Sequence, residues 1–215
     1  FTADVAQLLA DAATVARDEA IFIVLPTFAV DADGQAQPEN VVRIIDPTGA
    51  VVLEHIKFGG TLFEGSRTGS GELQTVDTPY GKLSAVICWD ADFPDVVRQA
   101  GAQDVDLLFI PANDWYELRD IHAGMATFRA VENGAAIFRQ TGAGVSLVAD
   151  AYGRILNRVD SFAAEQTGDI TDLQQVMTPL GAVDTLYPLV GDAFGWAMQI
   201  GAIGLVVFLW IKRRG

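Results

Sequence analysis

The signals of a strand and of a helix meet in Tyr80-Gly81-Lys82-Leu83-Ser84-Ala85-Val86-Ile87-Cys88-Trp89-Asp90-Ala91-Asp92-Phe93-Pro94, on either side of the only cysteine of the chain. Lys82 to Ile87 is a short run of mainly apolar, β-forming residues, which is typical of a buried strand. A helix signal follows, because Asp92 can cap a helix and Pro94 suits its first turn. This stretch therefore predicts a strand, a tight turn that carries Cys88, and a helix.

A cysteine on such a turn is a candidate nucleophile. Free backbone N–H groups and the positive end of a helix dipole favour its thiolate form. A backbone N–H of the turn can also bind a developing oxyanion. The alternative is a buried structural cysteine, because free cysteines are among the most buried residue types.

The composition limits the class of protein. A chain of 215 residues with 50% apolar content can form one substantial core, so we expect one globular domain with an appendage. The formal net charge of −14 argues against nucleic acid as a partner, because phosphates and this surface repel each other. A single cysteine and two histidines, His55 and His122, argue against an internal disulfide and a Cys- or His-based metal site. No metal or organic cofactor is predicted.

The remaining pattern alternates between helix and strand signals. Helices are predicted over residues 3–18 and 120–133, strands over 21–30, 41–45, 51–56, 106–111, 135–140, 145–150 and 154–159, turns at 31–34 and 46–49, and a loop over 58–72. This order of elements indicates an α/β layered sandwich. Because the chain starts with Phe1 and has no signal-peptide pattern, we expect it to be part of a longer polypeptide.

The last segment differs in kind from the rest. Phe194 to Ile211 contains one polar residue, Gln199, and at about 1.5 Å per residue it nearly crosses a hydrocarbon core of about 30 Å. Trp196 and Trp210 lie near its ends, where interfacial aromatic residues are expected. The basic tail Lys212-Arg213-Arg214 predicts a cytoplasmic C-terminus and an acidic globular part on the opposite side. The alternative is a buried terminal core helix.

Four stretches carry a resemblance to a known family: 85–94 (AVICWDADFP), 113–115 (NDW), 122–134 (HAGMATFRAVENG) and 141–146 (TGAGVS). Together they resemble the nitrilase superfamily of carbon–nitrogen hydrolases. Within it the chain looks most like the C-terminal part of the bacterial apolipoprotein N-acyltransferase branch, and the likeness includes 185–188 (TLYP) before the terminal helix. The resemblance covers nearly the whole chain. It implies a four-layer α-β-β-α sandwich of nitrilase type with one C-terminal transmembrane helix.

The resemblance also implies domain limits. Residues 1–180 would form a partial nitrilase-like domain that lacks its first strand, and residues 181–193 would form a linker. Residues 194–211 would form the transmembrane helix, and 212–215 a basic cytoplasmic tail. The protein would lie in a bacterial cell membrane with its globular domain on the extracytoplasmic side.

The catalytic residues implied by the resemblance form a Glu-Lys-Cys triad. Cys88 matches the nucleophile, whose thiolate would attack an acyl carbonyl and form a thioester. Lys57 matches the lysine that stabilises the thiolate and the oxyanion, although a solvated lysine at a strand end is the alternative. The N–H of Trp89 would be a second oxyanion donor, and Glu64 matches an auxiliary glutamate.

Four further residues have supporting roles in this interpretation. Asp90 occupies a position where acyltransferases usually carry glutamate, so its shorter side chain is a departure from the family. Arg129 and Glu132 lie three residues apart on one helix and can pair with each other or brace the cysteine turn. Asn113 is expected to line the pocket.

The general-base glutamate of the family has no counterpart in these residues. In the family it ends a strand before the first helix, and this chain starts at that helix. Glu54 is no substitute, because it lies three residues before Lys57 on one strand and points to the opposite face. Without a proton-accepting carboxylate, the fragment alone is expected to be impaired or inert.

The resemblance implies a membrane-anchored N-acyltransferase that moves an acyl chain from a phospholipid, through a Cys88 thioester, to the N-terminal amine of a lipoprotein. Two alternatives stay open. One is a membrane-tethered amidase or nitrilase-type hydrolase, in which water resolves the thioester. The other is a non-catalytic remnant that serves as a scaffold. No oligomeric state is predicted.

Overall fold

The computed structural model describes residues 2–30, 37–162, 175–179 and 181–214. The strands in these ranges are β1 (Ile23–Ala29), β2 (Glu39–Ile45), β3 (Val51–Ile56), β4 (Thr75–Thr78), β5 (Gly81–Ala85), β6 (Leu107–Phe109), β7 (Ala136–Arg139), β8 (Val145–Ala149) and β9 (Ile155–Asp160). The helices are α1 (Thr2–Asp18), α2 (Thr61–Glu64), α3 (Pro94–Ala102), α4 (Arg119–Asn133), α5 (Tyr187–Val190) and α6 (Ala193–Arg214).

The strands form two sheets. The first sheet has the order β1-β2-β3 and is antiparallel. The second has the order β4-β5-β6-β7-β8-β9, in which β5, β6 and β7 are parallel and the outer pairs are antiparallel. Parallel neighbours need crossover connections, and α3 and α4 supply them.

The two sheets stack with helices outside them. Successive side chains of a strand point to opposite faces, so Ala85 and Leu107 pack against Ile44 of the first sheet, while Leu108 and Ile137 pack toward α3 and α4. On the far side, α1 packs on β1 and β2. Burying each of the large aliphatic side chains contributes about 1.5–3 kcal/mol. The predicted four-layer α-β-β-α sandwich is confirmed.

The structure differs locally from the sequence prediction, which did not include strand β4. Asp92 does not cap α3, because a 3₁₀ helix, Cys88–Asp92, is inserted before it and the N-cap residue is Phe93. Pro94 does open α3, as predicted. The predicted loop over residues 58–72 contains the short helix α2. The turn predicted at residues 31–34 lies outside the described residues.

The segment before the terminal helix packs on the helical layer. The N–H of Val183 donates to the carbonyl of Gly134 (2.8 Å), and Gly101 of α3 lies so close to Pro188 that a Cβ would be 2.3 Å from its Cγ. Gly191 and Asp192 alone separate α5 from α6. This segment was predicted as a linker, and here it contacts α3 and α4.

The terminal helix α6 is the one helix among the described residues that is long and apolar enough to cross a membrane, with a mean hydropathy of 1.9. None of its apolar window is buried inside the protein. The alternative of a buried core helix is therefore wrong.

Candidate active site

Cys88 follows β5 and begins the 3₁₀ helix at which the chain leaves the sheet. Its N–H donates to the carbonyl of Pro111 (2.9 Å), which extends the pairing of β5 beyond Ala85. Its φ angle is +49°, in the left-handed region, which costs a non-glycine residue on the order of 1–3 kcal/mol. The turn projects the partly exposed thiol toward the carbonyl of Asn113, with 3.6 Å between the sulfur and the oxygen.

Lys57 follows β3 directly and is 1% exposed. Its backbone N–H donates to the carbonyl of Asn40 (2.9 Å), and its Nζ forms an ion pair with Oε1 of Glu64 in α2. The other carboxylate oxygen of Glu64 accepts from Asn40 Nδ2 and from Ser66 Oγ (3.3 Å each). A buried ammonium requires such a partner, so Glu64 holds the Lys57 amine in place. Glu54, as predicted, points the other way and binds Arg43.

Cys88 and Lys57 interact electrostatically. Burial raises the pKa of the Cys88 thiol above its ordinary value, and the positive charge of Lys57 is the largest effect that opposes it. The expectation that the turn by itself favours the thiolate is thus outweighed by the loss of solvent around the sulfur. The Lys57 charge is the principal stabiliser of the thiolate.

This balance predicts how Cys88 reactivity depends on pH. Only the thiolate attacks an alkylating agent, and a raised thiol pKa means that less thiolate exists near neutral pH. We expect the rate of alkylation by iodoacetamide to keep rising above pH about 8.5, the ordinary value for cysteine. Labelling followed by intact mass reports on Cys88 alone, and the Cys88→Ser chain is the blank. A rate that is constant from pH 6 to 9 would contradict the raised pKa.

Asp90 links the lysine segment to the cysteine turn. One of its carboxylate oxygens accepts from the N–H groups of Phe58 (2.9 Å) and Gly59 (2.5 Å). The other accepts from the N–H of Ile87 (2.9 Å) and binds His55 Nε2 (2.8 Å). The carboxylate is fully buried, so all four contacts are made away from water. The shorter side chain at this position therefore reaches both segments.

The other supporting residues lie around the same turn. Arg129 donates from Nε to the carbonyl of Ala91 (2.8 Å) and pairs with Glu132, so both predicted arrangements occur together. Asn113 Oδ1 accepts from the N–H of Ala143 (3.0 Å), while its backbone carbonyl faces the thiol. The catalytic roles of these residues stay predictions.

Trp89, the residue after Cys88, forms an aromatic wall with two neighbouring rings. Its ring contacts Phe63 and Trp115 edge to face, with ring centroids 5.7 and 5.8 Å apart. Phe63 is 80% exposed and Trp115 is 62% exposed. The wall fits closely on Gly60, where a Cβ would be 2.2 Å from the Trp89 ring.

Two histidine pairs near the turn were missed by the sequence interpretation. His55 is buried on the inward face of β3, and Lys57, two residues later and just beyond the strand, is buried too, so strand periodicity could have found His55. His122 contacts Asp114, which in turn binds Arg139. No spacing in the sequence links these three residues. Among the described residues, no group of three His, Cys, Asp or Glu side chains could hold a metal ion.

Comparisons with known proteins show the family of the chain. The sequence profile of the family described as carbon–nitrogen hydrolase matches residues 2–177. The apolipoprotein N-acyltransferase of Geobacter metallireducens is 28% identical over 148 residues, which are 66% of this chain and 27% of that protein. That of Brucella melitensis is 27% identical over 82% of this chain and 35% of its own length. The chain thus spans about a third or less of these relatives.

Solved structures that resemble the fold include amidases. The NitN amidase of Nesterenkonia sp. AN1 superposes with a TM-score of 0.62 at 23% identity, covering 71% of this chain and 64% of the amidase. A mutant of the amidase, with a TM-score of 0.61 at 23% identity over the same shares, carries acrylamide added to its active-site cysteine. At this identity the likeness establishes the fold.

Proposed function

The chain belongs to the carbon–nitrogen hydrolase family, and from this premise we propose that it is part of a membrane-bound N-acyltransferase that uses Cys88 as its nucleophile. The observation that carries the proposal is the buried Lys57 ammonium, whose charge acts on a thiol held on a left-handed turn. The apolar helix α6 and the acyltransferase relatives support the membrane setting.

In the proposed reaction, the Cys88 thiolate attacks the carbonyl carbon of a phospholipid ester. The carbonyl electrons move to the oxygen, and the oxyanion is stabilised by Lys57 Nζ and the N–H of Trp89. When the tetrahedral intermediate collapses, the C–O bond breaks, the lysophospholipid leaves with the proton of the thiol, and a thioester remains. A lipoprotein α-amine then attacks the thioester, loses a proton and releases the thiolate.

The proton acceptor of this reaction is assigned by resemblance to a glutamate before the first helix, outside the 215 residues. Glu64 has a different task in our proposal, because its carboxylate is already engaged with Lys57. It keeps the amine oriented toward the reacting centre.

Exposed apolar side chains beside the Lys57 segment fit an acyl donor. Leu62 and Phe63 lie in α2, next to Glu64, and both are largely exposed. Exposed apolar residues next to a reactive centre are typical of a surface that binds apolar ligands. In the proposed arrangement the acidic head lies on the extracytoplasmic side, because the basic end of α6 favours the cytoplasm.

A second candidate function is a membrane-tethered amidase. The observation that favours it is the likeness to amidases with a reactive active-site cysteine. In this case water, in place of an amine, resolves the Cys88 thioester, and small amides release ammonia.

The two functions are separated by one experiment on the whole protein in phospholipid nanodiscs. Intact mass should show one acyl group added to the protein and none added to the Cys88→Ala variant. A synthetic lipopeptide with a free N-terminal amine should then remove the adduct and gain the acyl group. Ammonia release from small amides without any acyl adduct would identify the amidase. If neither ammonia nor an acyl adduct is formed, both proposed functions are overturned.

A further inference from the structure

The imidazole of His122 lies between Asp114 and two groups of the cysteine turn. Its Nδ1 is 2.9 Å from Asp114 Oδ1. Its Nε2 accepts from the indole Nε1–H of Trp89 (3.2 Å) and is also 3.4 Å from Asp92 Oδ2. Trp89 and Asp92 both belong to the 3₁₀ helix that starts at Cys88.

The partners of Asp114 fix which nitrogen of neutral His122 carries the proton. Hydrogen bonds to His122 and Arg139 hold the pKa of Asp114 below its ordinary value despite burial, so its carboxylate is ionised and accepts hydrogen bonds only. Arg139 Nη2 donates to both of its oxygens (2.7 and 2.8 Å). Nδ1 of neutral His122 must therefore carry the proton and donate it to Asp114, which leaves the Nε2 lone pair for Trp89.

Protonation of the imidazole reverses the arrangement at Nε2. Histidinium has N–H donors at both nitrogens and no lone pair, so it cannot accept from the Trp89 indole. Its new donor faces the Asp92 carboxylate, which is already within 3.4 Å. Trp89 and Asp92 therefore compete for one nitrogen, and a proton decides between them.

We propose that His122 is a positioning residue for the Cys88 turn: neutral His122 holds the indole of Trp89, and protonated His122 releases the indole and binds Asp92. Trp89 is the residue whose backbone N–H is assigned to the oxyanion, and its ring is fixed by Phe63, Trp115 and Gly60. Loss of the indole hydrogen bond loosens this residue next to the nucleophile. The inference rests on the proposed thioester chemistry for its effect on rate.

The charged groups around the imidazole come from four elements. Asp92 lies on the 3₁₀ helix, Asp114 follows β6, Arg139 lies on β7 and Arg129 lies on α4. Burial raises the pKa of Asp92, and His122, Arg129 and Arg139 oppose this effect.

A spectroscopic measurement tests the contact without any acyl donor. Histidinium quenches a neighbouring indole, so the Trp89 emission of the whole protein in detergent should fall between pH 8 and 5. The transition should vanish in His122→Gln, whose amide can donate to Asp114 and accept from Trp89 but does not titrate. It should also vanish in Trp89→Phe, which leaves the other three tryptophans in place.

A kinetic measurement tests the positioning. The probe is the burst of nitrophenolate released when p-nitrophenyl octanoate acylates Cys88. The ratio of the acylation rates of the natural chain and His122→Gln cancels the titration of the thiol. We expect this ratio to fall about three- to tenfold between pH 8 and 5, which corresponds to the loss of one hydrogen bond, that between Trp89 and His122. The change should appear in kcat, with KM unchanged.

A third variant guards against a purely structural effect of replacing His122. Asp92→Asn keeps the imidazole but removes the competing carboxylate, so the emission transition should move to lower pH. The inference is overturned by a transition that persists in His122→Gln, by one that does not move in Asp92→Asn, or by a rate ratio independent of pH. If the emission behaves as expected but nanodiscs yield no acyl adduct, the acyltransferase assignment fails and the His122–Trp89 contact stands.

Discussion

Replacing Lys57 with methionine is expected to slow acylation of Cys88 by at least about 10²- to 10³-fold, the effect of removing one oxyanion donor. The loss should be larger near neutral pH, because Lys57 is also the largest influence that favours the thiolate. The measurement is the burst rate with p-nitrophenyl octanoate from pH 7 to 10. Methionine fits the buried site, because it has similar length and no charge.

The folded state should survive this change. Removing one partner of a buried ion pair is costly when the remaining charge stays buried, but the Glu64 side chain that loses its partner is 32% exposed and can be hydrated. Lys82→Met is the matched control, since the Lys82 amine binds the carbonyl of Gln103 (2.7 Å), away from the site. Equal acylation rates in Lys57→Met and Lys82→Met would remove Lys57 from the mechanism.

Asp90→Asn is expected to destabilise the domain by about 3 kcal/mol and to abolish most of the activity. The amide has one acceptor oxygen and one NH₂ group, so it cannot accept from all four donors that meet the carboxylate, and at least one buried N–H loses its partner. For a domain of this size the melting temperature should drop by about 6–12 °C. Thermal unfolding of the detergent-solubilised protein measures it.

The loss of activity should exceed what unfolding explains. At 10 °C, where the variant stays folded, acylation of Cys88 should still be slow, because the segment of Lys57 and the turn of Cys88 are no longer tied together. The control is Asp77→Asn on the edge strand β4, where the carboxylate is exposed. A folded Asp90→Asn chain with a normal acylation rate would show that the tie is dispensable.

Eight of the nine described strands could be predicted from their own apolar runs and flanking turns, whereas the short edge strand β4 was not predicted. The β2–β3 hairpin and the end of α4 at Gly134 follow directly from local chemistry: Asp46 caps its turn with hydrogen bonds to Thr48 and Ala50, and Gly134 adopts φ +64°. The 3₁₀ helix after Cys88 could not be predicted in the same way. It depends on hydrogen bonds that the Asp90 carboxylate accepts from the N–H groups of Phe58 and Gly59, about thirty positions earlier in the chain.

The candidate site could be predicted only as far as the resemblance reached. Cys88 and Lys57 stay predictions as site residues, and the contacts around them join β3, the cysteine turn, α4 and β7, which are distant in sequence. The Asp90–His55 and His122–Asp114 pairs are consequences of the stacking of these layers. The sequence therefore shows which side chains are present, but not which partners they contact in the folded structure.

The two residues between α5 and α6 limit how far the globular head can move from the terminal helix. Fully extended, Gly191 and Asp192 span at most about 7 Å, while α5 is fastened to α3. If α6 is embedded as proposed, the head cannot travel to a distant substrate. The leaflet must deliver the donor, and the acceptor must diffuse laterally to the thiol, so the turnover would scale with surface density in the membrane rather than with bulk concentration.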